Sequence, residues 1–273
     1  TLFVLNFPLN NSFYSTFSVF LLYMFRIAII FLLVIFQTFS VSLFSQVPVN
    51  EKLMVRISKE IWLGGTVHSS GFALNYGISK FKTFKKKSLI NIDLVSINHD
   101  KEYKIFGSFD ENAKKFVFGK LNSLYTVRLG FGNRKILYEK LRENGLQITM
   151  NYTAGLSLGL VKPVFLEVFK YDFSGRIAGI ASERYDPESH NFYTIYGRAS
   201  WTAGLMETKI NPGMFFKLGL DFDYSTNREI INSLELGVCL DVFSKPVILM
   251  VENNNYRFYP SVYINYSIGN KFY

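Results

Sequence analysis

The sequence predicts an all-β fold, an eight-stranded antiparallel transmembrane β-barrel with long extracellular loops, preceded by a signal peptide. Three observations predict it. Apolar and polar residues alternate in stretches such as "LQITMNYTAGLSLGLV", Leu146 to Val161. Such stretches recur along the chain, and the connections between them tend to alternate between short and long. The composition is also rich in aromatics, at 17%, yet holds only 19% charged residues, below the roughly 25% of ordinary soluble domains.

Alternation with a period of two is the signature of a strand whose faces meet different surroundings. In the quoted stretch one column is Leu146, Ile148, Met150, Tyr152, Ala154, Leu156, Leu158 and Leu160. The other is Gln147, Thr149, Asn151, Thr153, Gly155, Ser157, Gly159 and Val161. A soluble sandwich or lipocalin-like barrel also alternates, but its polar column faces water and is rich in charge. Here the polar column is small and uncharged, which suits the narrow interior of an eight-stranded barrel. The apolar column then faces lipid.

Eight strands are expected, at 61–69, 71–82, 88–98, 122–132, 145–161, 213–225, 232–243 and 260–273. The charged segments "FKTFKKKS", "GNRKILYEKLRENG" and "YSTNREIIN" read as short turns at one end. Longer connections at 99–121, 162–212 and 244–259 read as loops at the other, where "SSG" is the one tight turn. An even strand count with short turns opposite long loops is the layout of a bacterial outer-membrane barrel. Phe72, Tyr76, Tyr125, Phe131, Phe222 and Tyr224, near strand ends, suit interfacial girdles. The last segment, "SVYINYSIGNKFY", places Val262, Ile264, Tyr266, Ile268 and Phe272 outward, with Asn270 interrupting the column.

At the N-terminal side, "MFRIAIIFLLVIFQTFSVSLFSQ" has a basic start at Arg26, an apolar run and small residues up to Ser45. That is the layout of a secretory signal peptide over residues 24–45, with a membrane helix as the alternative. Residues 1–23, upstream of Met24, read as an over-extended reading frame, and 46–273 as the barrel. Removing residues 1–45 takes away one charge, Arg26, and leaves +8 of the formal +9. Such a surplus favours anionic surfaces such as lipid headgroups. Export excludes nucleic acid as a partner. The single cysteine, Cys239, reads as packing within a strand.

Several longer strings carry a resemblance: "VHSSGFALNYG", "GKLNSLYTVRLGFG", "YDPESHNFYTIYGRASWTAGLMETKINPGMFFKLGLDFDY" and "LELGVCLDVFSKPVILM". Together with "LFSQ" they resemble an uncharacterised family of outer-membrane β-barrel proteins from the Bacteroidota. The resemblance implies a barrel fold, export and residence in the outer membrane of a Gram-negative bacterium. It implies no activity and carries over no functional residue.

Parity places charges of both signs inside the barrel: Asp93, Arg128, Lys217, Asp221, Asp223, Glu235 and Asp241. In a narrow lumen such groups must be paired or hydrated, and a closing polar network is the expected arrangement. A narrow pore for small solutes or ions is the alternative use of the same groups. His68 and Ser70 suggest a lipid-modifying hydrolase as a further alternative, but parity turns His68 inward, away from acyl chains. His99 and His190 lack companions at metal-ligand spacing, so neither a metal nor a cofactor is expected. In the 162–212 loop, with a short helix near 199–208, Tyr193, Tyr196, Trp201 and Met206 either fold over the barrel mouth as a cap or form a candidate docking surface for another outer-membrane or surface protein. The turn "KTFKKKS", Lys82 to Ser88, is placed where it meets water or lipid phosphates. The function these readings favour is that of a non-enzymatic structural or interaction component of the envelope.

Overall fold

The computed structural model describes residues 58–99, 101–107, 113–140, 145–227, 229–251 and 256–272. The expected signal peptide and the 1–23 segment lie outside them.

Among the described residues thirteen strands follow in chain order. They are β1 (Lys59–His68), β2 (Gly71–Thr83), β3 (Lys86–Ile97), β4 (Lys104–Ile105), β5 (Phe116–Val117), β6 (Asn122–Tyr138) and β7 (Gln147–Pro163). Then come β8 (Phe165–Tyr171), β9 (Ile177–Arg184), β10 (Ile195–Arg198), β11 (Lys209–Asp223), β12 (Ile230–Val247) and β13 (Tyr256–Phe272). Eight of these close into one barrel in the order β1-β2-β3-β6-β7-β11-β12-β13, and β13 pairs back onto β1. Every neighbour is antiparallel and consecutive around the barrel, so the topology is a plain meander. The remaining five form a two-stranded ladder of β4 and β5 and a three-stranded sheet in the order β10-β8-β9.

Register fixes the geometry of closure. From Glu60 the ladder runs through Ser79, Leu89, Gly132, Thr153, Lys217, Cys239 and Ser261. Tyr263 faces His68, so Ser261 arrives level with position 70 of β1, a shear of ten residues from the start. With about 3.3 Å per residue and about 4.8 Å between strands, that shear tilts the strands by about 40°. A 17-residue strand such as β7 then rises about 42 Å, well beyond an apolar membrane band of about 25 Å. β7 does continue past the barrel, with β8 resuming after one residue.

Burial alternates along the barrel strands in the phase the sequence predicts. Leu63, Val67, Phe72, Leu94, Phe131, Leu156, Met214, Val238, Val262 and Ile268 point outward and are each more than half exposed. Their polar neighbours Asn75, Thr126, Thr149, Thr153, Ser157 and Asn265 are buried inside. The barrel is therefore inside-out, and its interior is the protein core.

Several strand boundaries differ from expectation. β6 runs to Tyr138 rather than ending near 132, because Arg134 and Ile136 keep the inward phase inside a stretch whose charges resemble a turn. β11 begins at Lys209, and β12 reaches Val247. The helix expected near 199–208 is absent from the structure: the stretch consists of turns and a 3-10 segment, Leu205–Glu207. Gly204, at φ +79°, holds the left-handed conformation that interrupts any helix there.

Two inward glycines let β6 and β7 approach: Gly130 faces Gly155, and a Cβ on Gly155 would lie 2.8 Å from the Gly130 Cα and overlap the Leu129 carbonyl. Gly155→Val is expected to destabilise the barrel by about 1–3 kcal/mol through overpacking. Gly65→Ala, whose Cβ meets open space, should stay within about 0.5 kcal/mol. Urea unfolding followed by heat-modifiable gel migration reads both.

Candidate functional site

The lumen is layered from the turn end to the loop end. At the turn end Glu60 accepts hydrogen bonds from Lys87 at 2.6 Å and Ser79 at 2.9 Å. Arg134 lies 3.8 Å from Glu60, pairs with Asp221 and donates to Asn151 at 2.9 Å, its guanidinium 4.6 Å above the Trp62 ring. Asp223 accepts from Lys271 at 2.7 Å, from Lys140 at 3.0 Å and from the Ser225 hydroxyl at 2.6 Å. Glu235 accepts from the Tyr263 hydroxyl at 2.5 Å and faces Lys217 at 3.9 Å.

Nearer the loop end, Arg128 clamps Asp241 with two donors, Nε at 2.8 Å and a second terminal nitrogen. Asp93 accepts from Asn91 at 2.9 Å and from Asn75. Cys239 packs with Phe215 and Tyr263. A void of about one water's size remains between His68, Asp93, Arg128, Lys217 and Tyr263. Beyond it an apolar stopper of Ala73, Val95, Ile97, Leu124, Phe243, Val247, Leu249 and Met250 fills the loop end.

All seven expected lumen residues are buried. The structure joins Arg128 to Asp241 and sets Lys217 near Glu235. It gives Asp221 to Arg134 and Asp223 to Lys271 and Lys140, and surrounds Asp93 with amides. Glu60, Lys87, Arg134, Lys140 and Lys271 complete the network and were outside the expected set. With them six carboxylates, Glu60, Asp93, Asp221, Asp223, Glu235 and Asp241, balance six cations, Lys87, Arg128, Arg134, Lys140, Lys217 and Lys271. The signal for Arg134 and Lys87 was phase, since each occupies an inward position of its strand.

His68 is buried inside the barrel, with its Nδ1 3.2 Å from the Ser70 hydroxyl. Among the described residues its buried Nε2 has no hydrogen-bond partner, so none of them supplies the carboxylate that would orient the ring as the third member of a hydrolytic site. His99 and His190 accept backbone hydrogen bonds at Nδ1, from Lys101 at 3.1 Å and Asp186 at 3.0 Å. Among the described residues no group of three or more His, Cys, Asp or Glu gathers as a metal site.

The loop sheet has its own core of Phe116, Leu166, Val168, Tyr185 and Ile195. Of the expected docking residues, Tyr193 and Met206 are highly exposed. Tyr196 is corrected: it is buried, edge-on to Phe169 with ring centroids 5.5 Å apart, because β10 turns it into the sheet's packed face. Trp201 is exposed but engaged, its indole nitrogen donating to the Tyr125 hydroxyl at 3.2 Å while Lys162 donates to its carbonyl at 2.5 Å. Tyr125 and Lys162 lie on outward positions of β6 and β7, so Trp201 fastens the loop to the outer wall. The sequence reading overlooked the β8–β9 hairpin, where Tyr171, Phe173, Ile177 and Ile180 are all exposed. On this hairpin Lys170 hydrogen-bonds Glu183 and holds its carboxyl below the ordinary carboxylate value, with His190 adding to the effect.

A closed eight-stranded meander, apolar outside and polar within, defines the class as a barrel of the transmembrane type. No family model matches the chain, and no curated protein matches it. Among solved structures it is similar to the N-terminal β-barrel domain of Pseudomonas aeruginosa OprF, at 10% identity and a TM-score of 0.35, covering 80% of this chain and 98% of that one. It is likewise similar to Neisserial surface protein A (NspA), at 9% identity and TM-score 0.37, covering 78% and 96%. A third is Ail, the attachment invasion locus protein of Yersinia pestis, in complex with the heparin analogue sucrose octasulfate, at 8% identity and TM-score 0.34, covering 79% and 97%.

Removing one member of a buried ion pair strands the other, at a cost of about 3–5 kcal/mol. Arg128→Met is expected to destabilise by that amount, and the double variant Arg128→Met, Asp241→Leu should recover most of the loss. Unfolding midpoints across the four proteins of the cycle check this. Simple additivity of the two single changes would contradict the pairing.

Proposed function

We propose that the chain is an outer-membrane barrel of a Gram-negative bacterium, exported by the segment at 24–45, that serves the envelope as a non-enzymatic structural and interaction component. The observation that carries this reading is the reversal of polarity: an exposed apolar wall surrounds a lumen filled with paired charge. In water that wall would be an aggregating surface far larger than the few hundred Å² that soluble monomers tolerate. In lipid it is the solvated face. The filled lumen and its apolar stopper favour a closed barrel over a narrow pore, and leave the loops as the part that meets other molecules.

The loop sheet supplies such a surface. Among the described residues β9 is an edge strand, flanked on one side only by β8, and nothing lies within 4 Å of a Cβ at Gly175 or Gly179. Exposed Phe173, Ile177 and Ile180 lie beside an unpaired backbone edge, which suits an extended segment of another envelope protein added to the sheet.

Two measurements test the reading. Leu156→Lys, in mid-belt, should lower the folding free energy in vesicles by about 2–4 kcal/mol, as a charge on the lipid face does; a soluble barrel would tolerate the lysine. Phe173→Ser with Ile180→Ser should leave heat-modifiable migration unchanged and abolish crosslinks formed by the hairpin in intact outer membranes. Crosslinks that persist undiminished would remove the hairpin as the docking surface.

A further inference from the structure

We infer that the outer wall at the turn end is a binding site for anionic phospholipid headgroups; the inference rests on the membrane reading above. Lys59, Lys80, Lys86 and Lys135 occupy outward positions on β1, β2, β3 and β6, Lys82 is exposed at the register shift between Phe81 and Thr83, and Lys85 lies in the turn between β2 and β3. Register sets Lys59 directly against Lys80, and Lys86 directly against Lys135. Cross-strand neighbours on one face have Cβ atoms about 4.5–5.5 Å apart, and like charges so placed destabilise a sheet. Two such pairs side by side require an external counter-charge.

Among the described residues, no carboxylate lies within salt-bridge range of any of these six lysines, although Lys87 in the same run finds Glu60 inside the barrel at 2.6 Å. Lys140 and Lys271, also at this end, are paired with Asp223. These six lysines thus share one arc of the outer wall at the turn end.

Their height on the wall selects the ligand. In the same outward columns the next residues away from the turn end are Ile61 and Ile78, and, one polar step further, Ile90 after Ser88 and Phe131 after Asn133. The ammonium groups therefore flank the apolar belt at headgroup level, where lysine stems lie along apolar surface and their heads reach polar groups. Phe84, exposed at the tip of the turn, adds an apolar contact beside them. A row of phosphates with acyl chains alongside the belt satisfies both the charge and the greasy margin, which a soluble acidic polymer would not.

The test uses the mature barrel, residues 46–273, in vesicles of phosphatidylethanolamine alone or with one quarter phosphatidylglycerol, followed by native mass spectrometry of the lipids it retains. Wild type should retain phosphatidylglycerol in preference to phosphatidylethanolamine. Each lysine near an anionic surface contributes roughly fivefold, so Lys82→Gln, Lys86→Gln, Lys135→Gln in one chain should reduce that preference by at least about tenfold. Lys104→Gln with Lys114→Gln, in the loops, should leave it unchanged. Undiminished preference in the triple variant, or an equal fall in the loop variant, overturns the site while leaving the barrel reading intact. Absence of heat-modifiable insertion into either vesicle overturns the membrane reading itself, and the site with it.

Discussion

The barrel depends on neutralising a dozen charges inside a bore that has no room for bulk water. A buried ion left alone costs several kcal/mol, and even a paired one gains only when its geometry is good. Here pairing is set by register. The ladder that runs from Glu60 around to Ser261 brings Arg134 within reach of Asp221, and Arg128 within reach of Asp241, although each pair is far apart in sequence. A slip of one residue on any strand would turn its inward column onto the outer wall and separate these partners. Charge inside and apolar surface outside are thus two consequences of the same phase.

That phase was legible wherever a strand's middle was uninterrupted. The columns of β3, β6, β7, β11 and β12 read straight from the sequence in mid-strand, and with them Asp93, Arg128, Lys217, Asp221, Asp223, Glu235 and Asp241. Strand ends were less legible, because a lysine or arginine outside the belt carries no local mark of inside or outside. In "KKK" the last lysine, Lys87, alone turns inward, to Glu60. In "GNRKILYEK" Arg134 belongs to the lumen and Lys135 to the wall, a distinction made by partners on distant strands.

The loops were the least legible part. The stretch 162–212 has no sustained period because its three strands are short and draw their core from other loops, including Phe116 from β5. Its attachment to the barrel runs through Trp201, whose partners Tyr125 and Lys162 come from two different wall strands. Spacing within "YTIYGRASWTAGLMETKI" contains no information about either contact. Glycine was a truer guide there, since Gly175 and Gly204 adopt positive φ where the chain must reverse or kink.

The clamp between Arg128 and Asp241 joins strands separated by 113 positions in the chain. When the chain is threaded from its N-terminal side, Arg128 reaches the growing sheet well before β12 delivers its partner. Until then the guanidinium must remain hydrated, and the half-built sheet must stay open on its concave side. Drying of the lumen is therefore coupled to arrival of the last strands. Closure of β13 on β1 becomes a single committed event in assembly, with no sealed intermediate before it.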